Sequence, residues 1–128
     1  MKRRVLIVDD IEINRRLAAI LLSREGCEVT EVADGNAALD ILARESFDAV
    51  LLDISMPGIS GEEICRRLRA DARWRELPLV AYTAHALVDE KERFLAVGFD
   101  ALLIKPITAA DLRRALAVAL AARTSVGA

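Results

Sequence analysis

Two hydrophobic patterns alternate along this chain. Short runs, either continuously apolar or alternating apolar with polar, cover residues 5–8, 28–32, 48–52, 79–82 and 99–104. Such runs are typical of β-strands, and the continuous ones indicate strands that are covered on both faces. Between them lie longer segments whose apolar residues recur every three or four positions, as in amphipathic helices. The pattern therefore predicts five strands, each followed by a helix.

The predicted helices cover residues 13–24 and 37–44, a segment after Ser60, a segment within 87–97 and a segment that begins at Thr108. Ser60 and Glu63 have the spacing of a capping box, which indicates the start of the third helix. In the first helix the spacing predicts an inward face, formed by Ile13, Leu17, Ile20 and Leu21.

The alternation of strands and helices predicts the arrangement of the chain. Strand–helix–strand units join parallel strands by right-handed crossovers and place helices on both faces of the sheet. We therefore expect an α/β fold with a doubly wound, five-stranded parallel sheet in the order 2-1-3-4-5, of the flavodoxin-like type. Ligands bind such sheets beyond the carboxyl ends of the first and third strands. Residues 1–123 are expected to form one domain, and residues 124–128 a frayed tail.

Composition and charge narrow the class of protein. The chain has 128 residues, of which 54% are hydrophobic and 30% charged, and its net charge is −2. This balance is typical of a globular domain and argues against direct binding of nucleic acid. Cys27 and Cys65 stand far apart, which favours two reduced thiols over a disulfide or a metal site. No apolar stretch approaches the ~18 residues of a membrane span, so we expect a cytoplasmic protein without membrane contact.

Polar residues follow four of the predicted strands at the point where each strand ends. Asp9 and Asp10 follow the first strand, Asp53 the third, Thr83 the fourth and Lys105 the fifth. Because the carboxyl ends of parallel strands meet at one edge of a sheet, these side chains are expected to form one site. Taken singly, the aspartates are also common as helix caps or turn residues. Their convergence is what indicates a site.

The predicted site contains three neighbouring carboxylates, which repel one another unless a divalent cation or a lysine offsets their charge. A set of oxygen ligands favours a hard ion, and Mg²⁺ is the usual one where phosphate is also bound. A cation, an ammonium and a hydroxyl around a carboxylate are suited to a phosphoryl group. The carboxylate of Asp53 can then act as the nucleophile and form an aspartyl phosphate.

Four short motifs at the strand ends carry a resemblance to a known family. They are Val-Leu-Ile-Val-Asp9-Asp10, Leu-Leu-Asp53-Ile-Ser-Met-Pro-Gly, Tyr-Thr83-Ala-His and Ile-Lys105-Pro106-Ile. Each motif alone is weak, but all four in this order resemble the receiver domains of response regulators, including stand-alone regulators of chemotaxis and the cell cycle. The resemblance covers the chain from about residue 5 to about residue 120 and implies a role in a two-component phosphorelay.

The resemblance implies a role for each aspartate of the predicted site. Asp53 is expected to accept the phosphoryl group and to bind Mg²⁺ together with Asp10 and the backbone carbonyl of Ser55. Asp9 is expected to act largely through metal-bound water. The phosphoryl donor is then a phosphohistidine on a histidine kinase or a histidine phosphotransfer protein, and the signal passes to a downstream protein partner.

The remaining site residues are expected to hold the phosphoryl group. The resemblance implies that Lys105 and Thr83 contact its oxygens, together with the backbone amides of Ser55 and Ala84. It also implies a cis peptide bond between Lys105 and Pro106.

Two further positions bear on regulation. Leu102 stands where many receivers carry tyrosine or phenylalanine, three residues before the lysine. We therefore expect phosphorylation to be read out by movement of the loop after Thr83 and of the fourth helix. His85 is expected near the mouth of the site, where it and Ser55 border the path of the attacking water.

Two other functions fit the sequence less well. Phosphohydrolases that work through a phospho-aspartate carry a second aspartate two residues after the nucleophile, where this chain has Ser55. A pseudoreceiver, which binds partners without being phosphorylated, is opposed by the intact set of site residues. We therefore expect a phosphoacceptor signalling domain that catalyses only its own phosphorylation and dephosphorylation. It is expected to act alone or as one part of a larger hybrid kinase.

Overall fold

Strands and helices alternate throughout the computed structural model of the chain, which describes residues 2–84 and 88–124, with side chains at 2–84 and 90–122. The strands are β1 Arg4–Val8, β2 Glu28–Val32, β3 Ala49–Asp53, β4 Leu79–Thr83 and β5 Ala101–Ile104. The helices are α1 Glu12–Arg24, α2 Gly35–Arg44, α3 Gly61–Ala70, α4 Val88–Val97 and α5 Ala109–Thr124. Of the expected tail, residues 125–128 lie outside the described residues, and Thr124 ends α5.

The five strands form one parallel sheet in the order β2-β1-β3-β4-β5, which confirms the predicted doubly wound topology. Val8 in β1 lies opposite Leu52 in β3, and Asp53 in β3 lies opposite Tyr82 in β4. The carboxyl ends of β1, β3 and β4 are therefore level with one another. This register brings the residues that follow these strands to one edge of the sheet.

Side chains that alternate along the central strands pack into two separate hydrophobic layers. The layer that contains Val5 and Ile7 of β1 is covered by α1 and α5, and it includes Leu22 and Leu112. The layer on the other face is covered by α2, α3 and α4; its members include Leu6, Val8, Leu42, Ile64, Leu68 and Phe94. Strands β3 and β4 are buried along their whole length, as their continuous apolar runs predict.

The predicted inward face of α1 is wrong for three of its four residues. Ile13, Leu17 and Ile20 are 77%, 40% and 51% exposed, whereas Ala18 and Leu22 are completely buried. Helix α1 has apolar residues on more than one side, so the spacing rule is satisfied by two different stripes. The structure uses the one with alanine at position 18, because a small side chain lets the helix backbone lie close to the sheet. An apolar stripe of α1 is thereby left exposed.

Side chains cap the N-termini of α3 and α5, as the sequence indicates. Ser60 Oγ accepts a hydrogen bond of 3.2 Å from the amide of Glu63, and Thr108 Oγ1 accepts one of 3.1 Å from the amide of Asp111. The N-cap residue of α1, in contrast, is Ile11, and no side chain caps this helix. Asp9 and Asp10 are therefore not helix caps. None of the helices, over the residues described, is long and apolar enough to cross a bilayer.

Arg69 at the end of α3 joins three parts of the fold. Its guanidinium donates hydrogen bonds to the backbone carbonyls of Trp74, Arg75, Leu77 and Gly98. It also pairs with Asp100 at 3.0 Å, and the same Asp100 carboxylate accepts from the amide of Leu79 at the start of β4. The end of α4 is thus fixed to α3 and to the sheet at the edge opposite the site.

The packing of α1 gives a matched test of its two apolar stripes. We expect Leu22→Ala to lower the free energy of unfolding by about 2–5 kcal/mol, since Leu22 is fully buried and its truncation leaves a cavity. We expect Ile13→Ala to change it by less than about 0.5 kcal/mol, because Ile13 is largely in solvent. Urea unfolding of the two variants measures both values. Equal losses would contradict this packing of α1, and a larger loss in Ile13→Ala would mean that the helix packs on the other stripe.

Candidate functional site

Three aspartates converge at the carboxyl end of the sheet. Asp9 follows β1, Asp10 is next in the chain, and Asp53 is the last residue of β3. One carboxylate oxygen from each lies within 4.8 Å of the others. Asp9 is completely buried and Asp53 is 2% exposed, while Asp10 is the most exposed of the three. The parallel topology therefore brings the three side chains together as the sequence predicts.

Lys105 supplies a positive charge to this cluster. Its Nζ lies 3.2 Å from Asp9 Oδ2 and 3.5 Å from Asp53 Oδ1, and its side chain is 13% exposed. Lys105 follows β5, which is separated from β3 by β4, so its long side chain crosses the end of β4 to reach the carboxylates. Its amide donates a 2.7 Å hydrogen bond to the carbonyl of Thr83. The peptide bond from Lys105 to Pro106 is cis.

Thr83 and Ser55 complete the described part of the site. Thr83 ends β4 and is buried, 5% exposed. The amide of Ser55 donates a 3.1 Å hydrogen bond to Asp53 Oδ1, so the chain turns back over the carboxylate directly after β3. Ala84 is exposed and is the last described residue before 85–87. The expectation for His85 therefore lies outside the described residues.

The loop after Asp53 is held against the start of α3 by a close backbone approach. A Cβ atom at Gly61 would overlap the carbonyl oxygen of Asp53 and lie 3.0 Å from the Cα of Ile54. Only glycine allows this contact, because it has no side chain. The amide of Gly61 also donates a hydrogen bond of 3.3 Å to the carbonyl of Ile54. The position of α3 thereby fixes the segment that carries Asp53 and Ser55.

Burial and charge repulsion act together on Asp53. Burial, and then the negative charge of Asp9, raise its pKa to about 6. The ammonium of Lys105 and the amide of Ser55 oppose this shift without cancelling it. The cluster thus holds more negative charge than Lys105 alone offsets. A further cation at this position would lower the free energy of the ionised site.

Asp9 has an oxygen that is suited to such a cation. Its Oδ1 accepts a hydrogen bond of 2.9 Å from the amide of Ile11. Its Oδ2 is buried and accepts no hydrogen bond from any described residue, although Lys105 Nζ lies 3.2 Å away. Buried polar atoms normally have a hydrogen-bond partner or a ligand. Three carboxylates, one of which has this buried oxygen without a hydrogen bond from the described residues, are a donor set that fits a hard divalent ion such as Mg²⁺.

Tyr82 contacts this site, a feature that the sequence did not reveal. Side chains alternate along a strand, so Tyr82 and Thr83 of β4 point to opposite faces of the sheet. The ring of Tyr82 is buried in the layer covered by α1 and α5. The centroid of the ring nevertheless lies 4.4 Å from Lys105 Nζ. The length of the lysine side chain explains the contact, because Lys105 passes over β4 on its way to Asp53.

Leu102 lies on the opposite layer of the sheet from Tyr82. It is half-buried and packs against the cluster covered by α2, α3 and α4. It also lines a groove between α4, β5 and α5, beside the exposed side chains of Leu95, Ile104 and Val118. The expectation that signal readout occurs without an aromatic ring at this position stays a prediction.

Comparison with known proteins relates most of the chain to one family. The family model described as response regulator receiver domain matches residues 5–117. The chain is 42% identical to the sensor protein GacS of Pseudomonas syringae over 112 residues, and 41% identical to the response regulator PleD of Caulobacter vibrioides over 107 residues. These matches cover 85% and 84% of the chain but only 12% of GacS and 24% of PleD. The chain thus corresponds to a small part of each relative.

Solved structures give the same result. The chemotaxis response regulator CheY4 of Vibrio cholerae superposes with a TM-score of 0.87 at 29% identity, over 94% of this chain and 100% of that one. The receiver domain of a sensor histidine kinase from Pseudomonas aeruginosa PAO1 has a TM-score of 0.85 at 33% identity, over 94% and 99% of the two chains. That domain was crystallised with a magnesium ion coordinated in its active site cleft.

The raised pKa of Asp53 predicts that this carboxylate destabilises the metal-free protein at neutral pH. The folded protein holds the Asp53 proton up to about pH 6, whereas an unfolded aspartate releases it near pH 4. The contribution of the Asp53 carboxyl to the free energy of unfolding is therefore greatest below about pH 4 and is lost as the pH rises through about 6. We expect Asp53→Asn, without divalent cations, to be more stable than wild type by on the order of 2–3 kcal/mol at pH 7.5.

Urea unfolding from pH 4 to pH 8 in the presence of a chelator measures this difference, which should shrink toward zero at pH 4. Asp40→Asn is the control, since Asp40 is exposed and pairs with Arg44 in the next turn. An Asp53→Asn protein less stable than wild type at pH 7.5 would contradict the electrostatic description of the site.

Proposed function

The chain belongs to the response regulator receiver domain family, and from that premise we propose that Asp53 accepts a phosphoryl group from a phosphohistidine. The observation that carries the proposal is the position of the Asp53 carboxylate at the switch point of the sheet, beside two further carboxylates and 3.5 Å from Lys105 Nζ. The donor would be a histidine kinase or a histidine phosphotransfer protein. This fits the relatives, which include sensor kinases and a response regulator.

Asp53, rather than its neighbours, has the surroundings of a nucleophile. Asp9 is completely buried and one of its oxygens is engaged by the amide of Ile11. Asp10 lies farther out, at the more exposed side of the cluster. The Asp53 carboxylate, at the end of β3, contacts the Ser55 amide and the Lys105 ammonium, two donors that can also stabilise negative charge on an incoming phosphoryl group.

We propose that Asp10, Asp53 and the carbonyl of Ser55 bind Mg²⁺ directly and that Asp9 acts through a bound water. The supporting observations are the all-oxygen donor set and the buried oxygen of Asp9 that accepts no hydrogen bond from the described residues. When bound, the ion supplies positive charge that offsets both the carboxylates and the phosphoryl oxygens.

In the transfer step, an oxygen of Asp53 forms a bond to phosphorus as the bond from phosphorus to the donor imidazole breaks. The imidazole keeps the electron pair of that bond and takes up a proton. Lys105, the hydroxyl of Thr83 and the amides of Ser55 and Ala84 are proposed to bind the phosphoryl oxygens, whose charge is spread during transfer. The amide of Ser55 and the ammonium of Lys105 already lie beside the Asp53 carboxylate, and donors held in this way lower the barrier because they need little rearrangement.

The proposed activity is transfer to the domain itself, followed by loss of the phosphoryl group, and not turnover of a separate substrate. Ser55 occupies the place where related phosphohydrolases carry a second aspartate, so no carboxylate stands there to act as general acid or base. We propose that the output is contact with a downstream protein. Cys27 and Cys65 are buried and are not joined in a disulfide, which supports a reducing, cytoplasmic location.

The exposed stripe of α1 supports contact between the site and the phosphohistidine protein. Ile11, Ile13 and Leu17 are 48%, 77% and 40% exposed. Ile11 follows Asp10 directly in the chain and is the N-cap residue of α1, so the start of this helix comes immediately after two aspartates of the carboxylate cluster. Exposed apolar residues next to a polar site are typical of a protein-binding surface.

Phosphorylation with a small acyl phosphate tests the proposed function. We expect wild type to gain one phosphoryl mass in the presence of Mg²⁺, and to gain none when a chelator removes the ion. Asp53→Asn should gain none under either condition because its amide is not a nucleophile. Intact-protein mass spectrometry measures the gain.

Asp40→Asn is the control variant, since Asp40 is an exposed residue of α2 that pairs with Arg44 and is not a member of the carboxylate cluster. It should be modified as fully as wild type. Modification of Asp53→Asn to the wild-type extent would show that another residue is the acceptor.

A further inference from the structure

The ammonium of Lys105 is bounded on three sides by groups that attract it. Two are carboxylates, Asp9 at 3.2 Å and Asp53 at 3.5 Å. The third is the aromatic face of Tyr82, whose centroid is 4.4 Å from Nζ. A cation within about 6 Å of a ring centroid is attracted by the negative charge of the ring face. The ring therefore borders the ammonium that is proposed to bind the phosphoryl group.

The ring of Tyr82 is held rigidly in this position. It is 1% exposed and lies in the hydrophobic layer covered by α1 and α5. Its hydroxyl donates a hydrogen bond of 3.3 Å to the backbone carbonyl of Asn14 in α1. A buried aromatic ring fixed at its outer end has little freedom to turn. Lys105 thus crosses the end of β4 over a fixed aromatic surface.

We propose that Tyr82 is a positioning residue, which holds the Lys105 ammonium against the phosphoryl site by a cation–π contact. The proposal rests on the function proposed above for Lys105. A divalent cation at the cluster would draw on the same carboxylates, Asp9 and Asp53, that attract Lys105 in the metal-free protein. The ring face of Tyr82 does not compete for that cation. It is therefore the contact that keeps Lys105 in place when the carboxylates are engaged.

An aliphatic side chain at position 82 would fill the same core and leave the lysine without this contact. Substitutions at position 82 can separate the packing of the core from the contact with Lys105. Tyr82→Phe keeps the ring face and loses the hydroxyl, whereas Tyr82→Leu and Tyr82→Met keep apolar bulk and lose the ring. Phe94→Leu is the matched control, because Phe94 is 2% exposed and lies in the hydrophobic layer on the other face of the sheet.

The first measurement observes the contact itself. The chain has three lysines, Lys2, Lys91 and Lys105, so the side-chain spectrum of protein labelled with ¹³C-lysine is simple, and Lys105→Met identifies the Lys105 signals. We expect the ε-methylene protons of Lys105 to lie upfield of those of the other two lysines, through the ring current of Tyr82. The shift should persist in Tyr82→Phe and in Phe94→Leu and disappear in the two ringless variants. A wild-type Lys105 signal without an upfield shift overturns the proposal with no variant required.

The second measurement is the affinity for beryllofluoride, a phosphoryl mimic, in the presence of Mg²⁺. We expect Tyr82→Leu and Tyr82→Met to bind about five- to thirtyfold more weakly than wild type, and Tyr82→Phe to bind within about twofold. Phe94→Leu should lose stability and keep its affinity. Ringless variants with wild-type affinity, or an equal loss in Phe94→Leu, would show that Tyr82 only fills the core.

The two measurements separate this inference from the function on which it rests. A wild-type protein that does not bind beryllofluoride with Mg²⁺ would contradict the proposed function, whatever the Lys105 signals show. A wild type that binds the mimic while its Lys105 signals show no ring-current shift would leave the proposed function standing and refute the role of Tyr82.

Discussion

Repulsion between buried carboxylates is the constraint on which the rest of this structure depends. The sheet brings Asp9 and Asp53 together with almost no access to water, and Asp10 adds a third negative charge beside them. Lys105 offsets part of that charge, and burial and Asp9 still raise the pKa of Asp53 to about 6. Carboxylate repulsion of this kind raises the free energy of the ionised site, and a bound cation would lower it. The carboxylates that suit the site to the proposed reaction therefore lower the stability of the metal-free fold.

The surrounding fold holds these charges in place from several directions. Gly61 lets the start of α3 press against the carbonyl of Asp53, and the amide of Ser55 turns back onto its carboxylate. Lys105 reaches the cluster across β4 over the ring of Tyr82. The far end of α4 is fixed through Arg69, at the edge of the sheet opposite the site. The start of α4, at Val88, comes four residues after Ala84 in the chain, whereas the fixed end of this helix is ten residues farther on, at Gly98.

The topology and the members of the carboxylate cluster could be predicted from the sequence because both follow from strand order. Once β1, β3, β4 and β5 are parallel neighbours, whatever follows them meets at one edge. The inward face of α1 could not be predicted, since its apolar residues form two stripes and the structure selects the one with Ala18 and Leu22. The contact between Tyr82 and Lys105 could not be predicted. Alternation along β4 predicts only the face of the sheet on which Tyr82 lies, and the contact depends on a long side chain that reaches across from β5. The role of Arg69 could not be predicted either, because most of its hydrogen-bond acceptors are backbone carbonyls of other segments, and these have no signature in the sequence.

The central claim is that these charges make Asp53, and not a neighbouring aspartate, the phosphoryl acceptor. The most direct measurement is chemical trapping: borohydride reduces an aspartyl phosphate to homoserine, and peptide mass spectrometry then locates the modified residue. After phosphorylation of the wild-type protein with a small acyl phosphate and Mg²⁺, the account predicts homoserine at position 53, with Asp9 and Asp10 unchanged. Homoserine at position 9 or 10, or a phosphorylated protein that yields none, would contradict it.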